Sequence, residues 1–221
     1  MSIEVVRTYD FTELERKLRS VPLMKKDEQG SEIFPYRHAD IRLREFHVGE
    51  VNPPTFYLLK KNNEFQQSLR RTLCEQGYDS LRLTAQAASL ELFNTETNEY
   101  WTLIPPIIES TVRTIRYVPF GDEIDYGHAP TTVTIQLICD GAHRVAMLRE
   151  TGGMFAGISI VGSNPRHSYY AHPNGWDQVR EVDEVPTTPE EKKYYRFKDC
   201  YALYRNFEDI GCGKPRGFGG S

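Results

Sequence analysis

Apolar residues recur along this chain at two spacings, and the places where the spacing changes mark its elements. In "YDFTELERKLRSV", Phe11, Leu14, Leu18 and Val21 fall three or four apart, the period of one helical face. Asp10 ahead of Glu13 resembles a capping box and Pro22 is a stop, so a first helix is expected over residues 11–21. Residues 24–37 are charged and turn-rich and read as a linker. In "ADIRLREFHVGEV" the apolar positions Ile41, Leu43, Phe46 and Val48 predict a strand with imperfect alternation, stopped by "NPP" at 52–54.

The segment "NNEFQQSLRRTLCEQG" puts Phe65, Leu69 and Leu73 on one stripe. Asn62 or Asn63 is the expected N-cap, and Gly77 the left-handed terminator. "ASLELFNTETNEYWTLIPPIIE" alternates on both sides of a polar "NTETN", the pattern of a β-hairpin, with Pro105 and Pro106 marking a bend or an edge. Residues 110–130 begin as a strand and continue as an acidic, Gly/Pro-punctuated surface loop of a length that suits a lid. "TTVTIQLICDG" is a β-branched run that predicts an interior strand. A helix is expected from about Ala142 to Thr151, ended by Gly152 and Gly153, and "FAGISIVGS" predicts another strand. Thr188, Pro189 and Glu191 then open a last helix with Tyr194, Phe197, Tyr201, Tyr204 and Phe207 three or four apart, followed by a frayed glycine-rich tail.

Composition narrows the class. At 221 residues and 39% apolar, the chain is long enough for one well-buried core, and one domain is the default. It has no apolar run of the roughly 18–20 residues that a membrane span needs, and its N-terminus lacks the apolar core of a signal peptide, so a cytoplasmic protein with no membrane partner is expected. Cys74, Cys139, Cys200 and Cys212 lie far apart with no CxxC pair, which points to reduced thiols rather than a disulfide framework or a zinc ribbon. A net charge of −4 argues against a surface devoted to nonspecific nucleic-acid binding. No GxxxxGK[ST] loop and no Gly-x-Ser-x-Gly elbow occurs.

Chemistry concentrates where a strand hands over to a helix, at Asp140, Gly141, Ala142, His143 and Arg144. A glycine there lets the backbone turn tightly and expose amides to an anion. Arg144 adds a planar donor fork, and His143 a donor that titrates near neutral pH. The alternative is structural, with Asp140 capping the helix and His143 and Arg144 on its wet face. Downstream, "SNPRHSYYAHPNGW" gathers Arg166, His167, His172 and Trp176 in a loop that either recognises a substrate or is held by its Pro and Asn residues. The spacing of His167 and His172, with no third ligand, predicts no metal site. The aromatic stripe of the last helix reads as core, or as a base-stacking platform beside Lys192, Lys193, Arg196 and Lys198.

"ICDGAHRVAMLRE" resembles the DG-x-HR signature of the ParB/sulfiredoxin superfamily, in which a strand, this turn and a helix cradle nucleotide phosphates. The resemblance extends over roughly residues 39–162, through the strand ending near "NPP", the helix ending "EQG" and the later "PPIIE". It implies an α/β (α+β) fold: a ParB/sulfiredoxin-like mixed sheet with flanking helices and an inserted β-hairpin. The implied organisation is an N-terminal helix and linker (1–38), a nucleotide-binding domain (39–165), a C-terminal loop and aromatic helix packing on it (166–210) and a flexible tail (211–221). Sulfiredoxins carry a reactive cysteine between the glycine and the histidine; Ala142 stands there, so the thiol reaction is not implied, and Cys139 reads as core. Chromosome-segregation ParB proteins carry a Gly-Glu-Arg-Arg turn and a helix-turn-helix region behind it; the chain departs from both, against a CTP-driven DNA clamp.

The form is similar to the free-serine kinases of the superfamily, small-molecule phosphotransferases with an acidic base near the first strand. In that region "REFHVGEV" offers Glu45, His47 and Glu50, of which Glu50, at the strand's end, is the first choice. The resemblance thus implies a nucleotide-binding protein that uses ATP or ADP, with CTP a further candidate, and Mg²⁺, to phosphorylate a small hydroxyl-bearing acceptor or to hydrolyse the nucleotide. Gly141, Ala142, His143 and Arg144 would hold the phosphates, Asp140 would assist Mg²⁺ or orient His143, His47 would share the catalytic site with Glu50, and Arg166 and His167 would bind the substrate. The alternatives are a nucleotide-dependent switch or DNA-associated module without turnover, and a component of a nucleic-acid-modification system.

Overall fold

A computed structural model of the chain describes residues 2–115, 131–167, 169, 174–187 and 204–210. Residues 116–130, His172, residues 211–221 and most of the expected last helix, with Tyr194, Phe197 and Tyr201, lie outside the described residues. Strands and helices mix in three sheets and three α-helices among the described residues.

The central sheet has four strands: β2 (Asp40–His47), β6 (Ile107–Ile115), β7 (Thr131–Asp140) and β8 (Met154–Val161), in the order β2-β8-β6-β7. β2 with β8 and β6 with β7 run antiparallel, while β6 and β8 run parallel. β7, expected in the sheet interior, stands at its margin. Its outer side is nonetheless partnered, because the chain leaving β2 arrives there: Asn52 N–H donates to Gln136 O at 2.7 Å and Ile138 N–H to Asn52 O at 3.1 Å.

Both faces of this sheet are buried, which explains the broken alternation of β2. Ile41 faces one core with Ile107, Ile158 and Ile160, against Leu14 and Leu18 of α1 (Phe11–Arg19). Phe46, an odd number of residues further on, faces the other core with Ile108, Ile138, Phe155 and Val145. Asp10 caps α1 by accepting from Glu13 N–H at 2.9 Å. Phe207 and Ile210 complete the first core from the C-terminal segment.

A second sheet is β1 (Ile3–Tyr9), β4 (Ser89–Asn94) and β5 (Glu99–Leu103), in the order β1-β4-β5. The hairpin β4–β5 forms as expected, but residues 3–9 extend it as a strand that sequence periodicity does not announce. Only Ile3 of that strand is buried, so it shows little pattern. Across this sheet lies α2 (Lys60–Glu75), with Leu69 and Leu73 packed on Leu90, Leu92 and Leu103. Gly77 (φ 87°) ends α2: its N–H donates to Cys74 O at 3.1 Å and Tyr78 N–H to Leu73 O at 2.9 Å, a Schellman closure. A short parallel pair, β3 (Tyr57–Leu59) with β9 (Arg180–Val182), leads into α2.

After β7 comes α3 (Ala142–Ala146), shorter than the helix expected to reach Thr151. The bonds that follow, Leu148 N–H to Val145 O at 3.0 Å and Arg149 N–H to Ala146 O at 3.2 Å, span three residues, so the chain tightens into turns and reaches β8 through Gly152 (φ 63°). Among the described residues no helix is long and apolar enough to cross a membrane.

Candidate functional site

The turn from β7 into α3 depends on glycine. Gly141 sits at φ 88° and ψ 15°, and a Cβ there would lie 2.9 Å from Pro106 Cβ. Pro106 leads into β6, whose first residue, Ile107, pairs with Asp140. The expected phosphate fork, Arg144, is only 5% exposed and packs beneath the turn. One terminal nitrogen donates to Asp140 Oδ2 at 2.9 Å and the other to Ile104 O, so the guanidinium fixes the turn to the strand connection.

His143 is held by a chain of polar groups. Asn63 Nδ2 donates to Glu181 Oε1 at 3.0 Å, which leaves Asn63 Oδ1 to accept from His143 Nδ1 at 2.8 Å. That order places the proton of a neutral ring on Nδ1 and the lone pair on Nε2, where Asn62 Nδ2 donates at a long 3.4 Å. Glu181 in turn pairs with Arg149 at 3.0 Å. Asn62 and Asn63, expected to cap α2, instead lie within its first turn and serve the histidine; the N-cap position is Leu59, with no side-chain cap bond.

Above the turn opens a cleft of about 890 Å³. One wall is the turn itself with Ile138 and Cys139, the second is α2 through Asn62, Phe65, Gln66 and Leu69, and the third is β5. Phe65 is 41% exposed and Trp101 is half-buried, so aromatic surface lines the cleft together with the polar turn. The charged groups of the lining are Glu99, Asp140 and Arg144. Of the residues expected from sequence, Asp140, Gly141, Ala142, His143 and Arg144 come together here.

Glu50, His47, Arg166 and His167 do not line this cleft. His47 and Glu50 cap each other around the 3-10 turn Val48–Glu50, with Gly49 N–H donating to His47 Nδ1 at 3.1 Å and His47 N–H to Glu50 Oε2 at 3.4 Å. Arg166 and His167 follow β8 at the end of the sheet away from the turn, in the 3-10 turn Pro165–His167. Burial and then the charges of Arg205, Lys25 and Arg166 hold the His167 ring below its ordinary pKa. Trp176 is structural, its Nε1–H donating to Val48 O at 3.0 Å. Cys139 packs on the first core, and burial, then Glu109, push its thiol well above the ordinary range. Sequence reasoning missed Gln66 and the β5 face as lining of the cleft and took Phe65 for part of the buried stripe with Leu69 and Leu73.

These elements define a mixed α/β protein in which a strand-to-helix turn closes one end of a cleft. The family model of the ParB CE domain matches residues 13–120, from α1 through the hairpin and β6. The match supports membership of the ParB/sulfiredoxin-like superfamily over just under half of the chain. The match ends before β7, so the turn at 141–144 lies outside it. Comparison with curated proteins and with solved structures finds no match.

Proposed function

We propose that the protein binds a nucleotide in this cleft, ATP or ADP first and CTP as a further candidate, and transfers a phosphoryl group to a small hydroxyl-bearing acceptor or to water. The observation that carries this reading is the division of the lining, a polar turn at one end and aromatic surface at the other, which suits a ligand with an anionic end and a flat apolar end. Gly141 and Ala142 line the cleft, where their backbone would meet the phosphates, and the buried Arg144 guanidinium supplies positive charge from beneath. Asp140 offsets part of that charge. Nucleotide-bound Mg²⁺ usually takes one or two carboxylates besides phosphate oxygens, and Asp140 Oδ1, on the side away from the Arg144 bond, is the group that would hold it.

His143 takes the base role in this reading, because it lines the cleft and Glu50 does not. Its Nε2 would receive the proton of the acceptor hydroxyl, in place of the long Asn62 contact, as that oxygen bonds to the terminal phosphorus and the bond to the bridging oxygen breaks. Asn63 is a positioning residue: by accepting from Nδ1–H it keeps the lone pair of Nε2 toward the cleft. A second reading, a nucleotide-dependent switch or DNA-associated module without turnover, is favoured by the direction of the Arg144 donors, which point at Asp140 and Ile104 rather than outward.

The test is to incubate the protein and Mg²⁺ with ATP, ADP, CTP and GTP, with and without serine or single-stranded DNA, and to measure both binding and products. The expected result is binding with turnover, retained binding but about a hundred- to ten-thousandfold slower turnover in His143→Gln, and unchanged turnover in Glu50→Gln. A bound nucleotide that no acceptor consumes selects the switch; no binding to any nucleotide removes the proposal.

A further inference from the structure

The aromatic end of the cleft shows features that neither packing nor the turn explains. Phe65 heads the same stripe of α2 as Leu69 and Leu73, yet those two are buried while Phe65 is 41% exposed. Trp101, on β5, packs partly on the core of the second sheet and presents the rest to the cleft. Both rings line the cleft. Tyr100 alternates to the other face of β5, its ring 4.6 Å from that of Phe93.

Gln66, the next residue of α2, also lines the cleft, and its Oε1 is buried with no hydrogen-bond partner. An unpaired buried amide oxygen is destabilising until a donor reaches it. Its terminal torsion is soft, so the same amide can turn either its oxygen or its two N–H donors to a ligand. The charges of the lining, Glu99 and Asp140 against Arg144, do not make the cleft a general anion funnel. A flat heterocycle with an amide-like edge matches this set better than a phosphate does.

We infer that this end of the cleft is a nucleobase subsite, in which Phe65 and Trp101 offer stacking faces and the Gln66 amide hydrogen-bonds the edge of the base. The inference rests on the nucleotide reading of the same cleft and adds that the base, not only the phosphate, is recognised. Recognition by stacking and one amide predicts measurable affinity for nucleosides that carry no phosphate.

The experiment titrates adenosine, guanosine, cytidine and uridine into the full chain by calorimetry, beside ATP and inorganic tripolyphosphate. The expected result is that at least one nucleoside binds. Phe65→Ala weakens that nucleoside and ATP by about tenfold and leaves tripolyphosphate unchanged, Trp101→Phe binds better than Trp101→Ala, and Gln66→Leu changes the ranking of the bases. Far-UV circular dichroism confirms that the Phe65 and Gln66 variants fold. Nucleosides that do not bind, or ATP affinity unmoved by Phe65→Ala and Gln66→Leu, overturn the subsite; if tripolyphosphate still competes with ATP, the phosphate reading survives alone. Nucleosides that bind as tightly as ATP, with tripolyphosphate inert, leave the subsite standing and remove the phosphate reading.

Discussion

Glu109 and Arg205 form an ion pair whose two side chains are completely buried. Arg205 donates to both carboxylate oxygens, at 2.7 and 3.2 Å, while Tyr36 Oη–H and Ser163 Oγ–H each donate at 2.7 Å. Burial works against the charge on Arg205, but Tyr36 and Glu109 outweigh it and hold its pKa above the ordinary value. The same burial, with Glu109, pushes the Tyr36 phenol well up, so it stays protonated and donates. The pair fastens the C-terminal segment to β6. Taking away one partner strands a buried charge, so Arg205→Ala is expected to cost about 3–5 kcal/mol in urea unfolding. The double variant Glu109→Leu/Arg205→Met is expected to lose less than that single change; a larger loss would contradict this account. None of this was legible in sequence, where Arg205 fell in the last helix pattern and Glu109 in a strand: a partner 96 residues away leaves no local trace.

At the scale of elements, α2 matters most, because it carries one wall of the cleft. Its C-terminal end is fixed by Gly77 and by Asp79, which accepts two bonds of 2.8 Å from Arg70 and one of 2.9 Å from Leu81 N–H. Burial alone would raise the Asp79 pKa, but these partners outweigh it and hold the carboxyl below its usual value. A folded pKa below the unfolded one means stability that is complete above about pH 4 and fades as pH falls through the folded value. Asp79→Asn is therefore expected to destabilise the protein at about pH 7 and to approach the wild type as pH falls through the folded value; a loss that does not shrink in acid would contradict the pairing. Helix periods and the glycine stop read correctly from sequence here, and so did the hairpin. Asn62 and Asn63 were misread because an asparagine suits a cap or a histidine partner equally well, and only the arrival of α3 decides. α3 was read too long because its apolar spacing continues past Ala146 while its bonds tighten.

Over the whole molecule, the candidate site is a meeting of three segments far apart in sequence: the start of α2, the strand β5, and the turn at 141–144. The ParB CE match covers the first two and stops before the third, so the turn that first suggested a phosphate site and the family segment are independent contributions to one cleft. The chemistry at the turn was legible because glycine, histidine and arginine cluster within five residues. The opposite wall was not, because aromatic residues on a helix and a strand look like core until the sheet that leaves them exposed is known. The most direct test of the account is hydrogen–deuterium exchange with and without Mg²⁺ and ATP. Slowed exchange is expected in residues 62–66, 99–104 and 139–146, with residues 47–50 and 163–167 unchanged. Protection confined to the latter two segments, or no protection of 139–146 at saturating ATP, would contradict it.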